Sequence, residues 1–396
     1  MRLALSFLFA LAALPAQAQL AVYADTVHTA AGAPIVGGVV LVGSDGTIEA
    51  VGREGEVRVP DGTPERRAVV VTPGLVDVRG TVGLSGLLNQ PQDQDVIDEG
   101  DALQPALRAL DAYNGRDPLV DWVLDFGVTT VQSGHAPGPV VAGQTVVVKT
   151  HRPYVADAVV LEAPMVTMTV GESTRQYFDS PGTRAKAVAE LREALYAARA
   201  FAEEPDSARS RDLGNEVLAA LLAGEKTALV EAHRAHDILT ALRLREEFGF
   251  PMVLSGASEA YLVLDAIRAA GVPVALHPTM ARATGEREHL SMETAKLLHE
   301  AGIPFAIQSG YEAYVPKTRV VLFEAGVAAA HGLPKGAALR SVTLGAAEIL
   351  GLDDRIGSLA PGKQADLVLF DGDPFETTSH VCAVVVQGEV VRDTCR

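Results

Sequence analysis

Thr227-Ala228-Leu229-Val230-Glu231-Ala232-His233 is a short apolar run that ends on a carboxylate and an imidazole. A helix-period segment follows it, from about His236 to Glu247. The unit then recurs. Pro251 to Leu254 precedes a helical pattern from about Ser258 to Ala270, Val272 to Leu276 and Pro304 to Gln308 are further strands, and helices dominate to Leu350. Apolar strands alternating with helical segments are the pattern of βαβ units around a parallel sheet. The reading is an α/β protein with a single central barrel.

Outward from this centre the pattern shifts to period two. On the N-terminal side, from about Leu20 to Val71, Val39–Val42, Thr47–Val51 and Ala68–Val71 read as strands, with Ser44, Asp45 and Gly46 forming a turn. From about Gly357 onward, Ala365–Phe370 is a strand stopped by Asp371-Gly372-Asp373-Pro374. Ala383–Val391 is a hairpin around Gln387 and Gly388. The two β-rich ends are expected to pair as one small β-sandwich. Before them lies a leader. Arg2 is followed by an apolar run from Leu3 to Leu14 and then by Ala16-Gln17-Ala18, the A-x-A pattern cleaved before Gln19. The expected division is a signal peptide over 1–18, an N-terminal β-sandwich segment over 19–71, the barrel over 72–356 and a C-terminal β-sandwich segment over 357–396. Export places the mature protein in a periplasmic or extracellular compartment.

Of the 396 residues, 50 are acidic and 33 basic, a net charge of −17. That balance argues against nucleic acid or an anionic membrane surface as partner, and no later stretch is apolar enough to span a bilayer. The two cysteines, Cys382 and Cys395, flank the final hairpin and in an oxidising compartment are placed to close a terminal loop. The chain has no G-x-S-x-G elbow, no phosphate loop and no dinucleotide fingerprint, which removes serine-hydrolase and nucleotide readings.

Thr72-Pro73-Gly74-Leu75-Val76-Asp77 resembles the TPGLID segment that opens the barrel in amidohydrolases. Gly357-Ser358-Leu359-Ala360-Pro361-Gly362-Lys363-Gln364-Ala365-Asp366-Leu367 resembles the GSL-x-PGK-x-ADLV segment that returns such chains to their β-sandwich. The two bracket the barrel. The resemblance, to the imidazolonepropionase-like and prolidase-like amidohydrolases, implies a (β/α)₈ TIM-type barrel. It also implies one or two divalent metals, usually zinc, that activate a water at the mouth of the barrel against an amide-like carbon.

The ligand positions depart from that pattern. Where the family's first strand carries His-x-His, this chain has Arg79 and Thr81, and a guanidinium repels a cation. The His-Ala-His of the fifth strand is Glu231-Ala232-His233, the sixth-strand Glu-His-Gly is Ser255-Gly256, and Ser309-Gly310 stands where the catalytic aspartate falls. Thr167 aligns with the fourth-strand lysine. No standard metal site is therefore expected, with a zinc site from Glu231, His233 and His277 the remaining cofactor option. Polar residues still follow the strands. Glu231, His233 and His277 are the candidates for catalysis, and Arg79, Arg282 and Tyr311 for holding an amide-like or anionic small molecule. Two functions follow: a hydrolase of carbon–nitrogen bonds working through an altered site, or a non-catalytic barrel that binds a ligand, forms a homo-oligomer or accompanies an intact amidohydrolase.

Overall fold

A computed structural model describes residues 18–88, 90–205, 210–277, 279–311 and 317–395. The expected leader, apart from Ala18, lies outside the described residues. In chain order the strands are β1 (Ala18–Val27), β2 (Ile35–Gly43), β3 (Ile48–Arg53), β4 (Glu65–Pro73), β5 (Leu75–Gly80) and β6 (Val128–Ser133). Next come β7 (Val141–Gln144), β8 (Val146–Lys149), β9 (Val159–Leu161), β10 (Met165–Thr169), β11 (Thr227–Ala232) and β12 (Met252–Gly256). The last are β13 (Val274–Leu276), β14 (Phe305–Ile307), β15 (Leu367–Phe370), β16 (Val381–Val386) and β17 (Glu389–Arg392).

The terminal segments join in one seven-stranded sheet of order β17-β16-β15-β4-β1-β2-β3, rather than in two separately hydrogen-bonded layers. The sheet curls so that the β2–β3 turn meets the segment leading into β15: the Ile48 N–H bonds the Lys363 carbonyl at 2.8 Å and Ala365 N–H bonds Gly46 O at 2.9 Å. An apolar cluster that includes Val22, Val42, Val71, Leu367 and Val385 lies within the curl. The hairpin between β16 and β17 turns on Gln387 and Gly388, both at positive φ (51° and 79°), as a type I′ turn requires. A disulfide joins Cys382 of β16 to Cys395 beyond β17.

The central α/β region is built on two sheets, β14-β13-β12-β11-β10-β7 and β5-β6-β8-β9. Their hydrogen bonding does not form one closed sheet. They are nonetheless joined on both sides. On one side β7 and β8 are a single run of chain that passes between sheets at Thr145, whose N–H bonds Met165 O at 2.9 Å and whose hydroxyl bonds Gln132 Oε1 at 3.2 Å. On the other side the Gly310 N–H reaches Arg79 O at 3.3 Å and the Ser309 N–H reaches Asp77 Oδ1 at 3.0 Å. Between the sheets Val76, Val78, Val147, Met165, Leu229, Val253, Ala275 and Ala306 pack in one buried cluster, closed by Ala346 and Leu350 of the helix Leu344–Leu350.

The sheet is not wholly parallel. β5 and β6 pair in parallel, as do β10 through β14, but β8 runs antiparallel to β6 and β7 antiparallel to β10. The cause is local: residues 134–140, Gly-His-Ala-Pro-Gly-Pro-Val, hold no helix, and without a helical crossover a strand returns antiparallel. The helix expected from His236 to Glu247 spans Ala235–Phe248 and ends on Gly249 at φ 81°. The one expected over Ser258–Ala270 is split into a 3₁₀ turn, Ala260–Leu262, and a helix, Leu264–Ala270, by Val263 (φ −134°, ψ 27°). Among the described residues no helix is long and apolar enough to cross a membrane.

Candidate functional site

The side chains at the C-terminal ends of β5, β11, β12, β13 and β14 converge. Glu231, the last inward-facing residue of β11, is buried, with Oε2 hydrogen-bonded and Oε1 in ion-pair contact only. Ser255 Oγ donates to Oε2 at 2.5 Å and His233 Nε2 lies 2.8 Å from Oε1. Ser255 is itself fixed by Gln308 Nε2 at 3.2 Å, which also donates to Ala275 O at 2.6 Å. Burial alone would raise the Glu231 pKa. The His233 hydrogen bond and charge, the positive Arg79 and the Ser255 hydroxyl overcome it and hold the carboxyl well below its ordinary range. Glu231 is an anion at any working pH.

His233 is placed by both ring nitrogens: Nδ1 sits 2.8 Å from Ser258 Oγ, and Nε2 is also 3.3 Å from Tyr311 Oη. Its ring is edge-on to His277 at 5.2 Å, and His277 Nε2 lies 2.9 Å from Arg287 Nη1. A guanidinium only donates, so His277 accepts at Nε2. Burial, reinforced by Glu231, raises the Tyr311 pKa well above that of a free phenol. It is a neutral hydroxyl. Gly256 is required at the sixth-strand position: its φ is 83°, and a Cβ there would stand 2.8 Å from both Glu231 Oε1 and His233 Cε1. The Glu231–His233 pair fills the space that a side chain at 256 would need.

Arg79 lies in the same cluster and is 3% exposed. Its Nη2 donates to His135 O at 3.3 Å and its Cζ is 5.8 Å from the Tyr311 ring centroid. Burial lowers its pKa, against the opposing pull of Glu231, Tyr311 and Asp77, yet a guanidinium starts so high that it stays charged. Thr81 is buried two residues further on.

His233 and Tyr311 form the floor of a cavity of about 390 Å³ whose walls include Val96, Ile97, Tyr177 and Arg287. A larger groove of about 500 Å³ lies elsewhere, between the helix Val321–Ala330 and the terminal sheet, and holds none of these groups. Of the residues singled out from sequence, Arg79, Glu231, His233, His277 and Tyr311 are brought together. Arg282 is not: it is exposed and lines none of this cavity. Arg287, five residues on, is the cation at the wall. Sequence reasoning missed it because residues 279–290 form no strand or long helix that would fix which arginine turns inward. Ser258 and Gln308 were likewise passed over, and only their position just after strand ends marked them.

Metal chemistry of the kind the resemblance implies needs converging imidazoles and carboxylates. Among the described residues no three His, Cys, Asp or Glu side chains are placed to hold an ion. With the Arg79 cation in the cluster, the donor set does not fit a binuclear centre.

The fold and the mouth cluster define an α/β scaffold of the kind that carries its chemistry at the strand ends. Residues 215–392 match the Amidohydrolase family. An amidohydrolase from Thermotoga maritima MSB8 is similar to this chain at 30% identity and a TM-score of 0.88, over 94% of this chain and 100% of that one. The chain belongs to the amidohydrolase superfamily. Amidohydrolase tasK of Hapsidospora irregularis is 26% identical over 358 residues, which is 80% of this chain but 36% of that protein, so this chain spans about a third of that relative's length. An adenosine deaminase from Xanthomonas campestris with bound zinc (17% identity over 96% of this chain and 94% of that one, TM-score 0.57) shares the fold. So does a putative prolidase from Bifidobacterium longum (16% identity over 96% of this chain and 97% of that one, TM-score 0.58).

Proposed function

We propose that this chain is an exported hydrolase of amide-like carbon–nitrogen bonds, built on an amidohydrolase (β/α)₈ barrel whose standard binuclear metal site has been lost. The observation that carries the reading is the Glu231–His233 pair at 2.8 Å, with His233 lining an open cavity and Tyr311 Oη 3.3 Å from its Nε2. Glu231 orients His233. Tyr311, neutral and facing the cavity, hands its proton to the leaving nitrogen and recovers one from His233 Nε2; the attacking water bonds the carbonyl carbon through its oxygen and gives a proton back to His233, so that one water adds across the broken C–N bond. The eight strand runs β5, β6, β7–β8 and β10 to β14 support the barrel reading, with the third run reversed. The leader and the Cys382–Cys395 disulfide support export.

A second reading, a ligand-binding barrel without turnover, is favoured by one fact: Glu231 Oε2 and both His233 nitrogens already have protein hydrogen-bond partners. Metal analysis of the mature protein, followed by a screen with dipeptides and cyclic amides, decides. Below about 0.2 equivalents of metal, with turnover abolished by Glu231→Ala and by His233→Ala, the hydrolase reading stands. About two equivalents, as a binuclear site needs, would sink the altered-site reading, and metal-free protein with no turnover leaves the binding barrel.

A further inference from the structure

We propose that the Arg79 guanidinium is the receptor for a small monoanion, a carboxylate group or an inorganic ion of similar size, in the floor of the mouth. The inference rests on the reading of that cavity as the functional site. It goes further by assigning the charge and chemistry of the group that enters deepest.

The argument starts from hydrogen-bond accounting. Arg79 is enclosed by protein, and only Nη2 has a partner, a neutral carbonyl at 3.3 Å. Nε and Nη1 are buried with no partner among the described residues, and Thr81 Oγ1, two residues along, is likewise buried and unpartnered. Removing a guanidinium from water without satisfying its donors costs several kcal/mol in other proteins, so such a group is kept where a partner comes and goes.

The neighbouring anions do not supply that partner. Glu231 Oε2 is held by Ser255 and Oε1 faces His233 Nε2 at 2.8 Å, while the Asp77 oxygens are held by Ser309 and the Arg79 N–H. No carboxylate lies within ion-pair distance of Arg79 among the described residues. Nε–H runs parallel to one N–H of Nη2, and Nη1 and Nη2 present a second parallel pair, so the guanidinium can give a carboxylate two hydrogen bonds at once or share a pair with one rounder anion. Arg79 stands directly behind the cavity wall. The carbonyl it holds belongs to His135, beside wall residue Ala136, and the ring 5.8 Å from its Cζ belongs to floor residue Tyr311. Arg287 adds a second positive charge at the wall, beside Glu286 of the same lining.

The experiment is a melting-temperature titration of the mature protein with formate, acetate or chloride, ionic strength being held constant with a bulky sulfonate salt. We expect a saturable rise of roughly 2–4 °C in the wild type, about tenfold weaker half-saturation in Arg79→Lys, which loses the fork, and no response in Arg79→Met. In anion-free buffer Arg79→Met should melt no lower than the wild type, since it removes an unsatisfied buried charge. Saturation by formate and acetate alone marks a carboxylate receptor, and saturation by chloride as well marks a general monoanion site; both support the assignment. It is overturned by a flat wild-type titration, by an unchanged response in Arg79→Lys and Arg79→Met, or by a large loss of stability in Arg79→Met, which would show the charge already paired. Binding is read without turnover, so failure here leaves the hydrolase reading standing, and absence of turnover leaves this one standing.

Discussion

Asp77 accepts two hydrogen bonds that tie the exit of β14 to β5, from the Ser309 N–H at 3.0 Å and the Ser309 hydroxyl, and a third within β5 from the Arg79 N–H at 3.2 Å. Burial is the stronger influence and pushes its pKa from 3.8 up to about 6. A carboxyl with a raised folded pKa binds its proton more tightly when folded. Its contribution is complete below the unfolded value and is lost as pH rises through the folded one. Wild-type stability should therefore fall by about 2 kcal/mol from this group between pH 4 and 6, out of about 3 over its whole titration. Asp77→Asn keeps the acceptor for the two N–H groups and should flatten that window, read as urea midpoint against pH. An unchanged slope in the variant would show that another group titrates there.

Gly256→Ala tests the packing of the mouth. The substitution strains a φ of 83° and forces its methyl to within 2.8 Å of Glu231 Oε1 and His233 Cε1. We expect a loss of about 1–3 kcal/mol from the backbone, and displacement of the Glu231–His233 pair, visible as a changed His233 imidazole resonance. Wild-type stability with an unmoved resonance would refute the close packing.

Lys149 and Asp366 form a buried ion pair between β8 and the terminal sheet, supported by Thr130 Oγ1 at 3.1 Å from Nζ and by the Gln387 N–H at 2.9 Å from the carboxylate. Asp366→Ala leaves an uncompensated buried ammonium and should cost about 3–5 kcal/mol. Lys149→Met with Asp366→Leu should recover most of it. Chemical denaturation of the single and double variants measures both, and a double variant no better than the single would contradict the pairwise account.

The Cys382–Cys395 disulfide closes a loop of sequence separation 13. Loop entropy sets its contribution at about 3 kcal/mol or less. Cys382→Ser with Cys395→Ser should lower the denaturation midpoint to that extent, and dithiothreitol should do the same to the wild type and nothing to the variant. A reductant effect that persists in the variant would place its cause elsewhere.

Local chemistry was enough to read the β-rich ends, the strand-helix alternation and the two junction segments, because period-two and period-3.6 patterns and the Gln387-Gly388 turn depend on neighbours in the chain. It also marked Arg79, Glu231, His233, His277 and Tyr311, each just past an apolar strand. Tertiary structure alone decided the rest. The reversal of the third strand run depended on where a helix-free connection lands, and the choice of Arg287 over Arg282 on how an irregular loop folds across the mouth. The cluster itself brings residue 79 beside residues 231 and 311, and a contact between groups so far apart in the chain leaves no periodic trace. Gly256 shows the division most clearly: the sequence displays a glycine where the resemblance expects Glu-His-Gly, and only the packed structure shows that the Glu231–His233 pair fills its place.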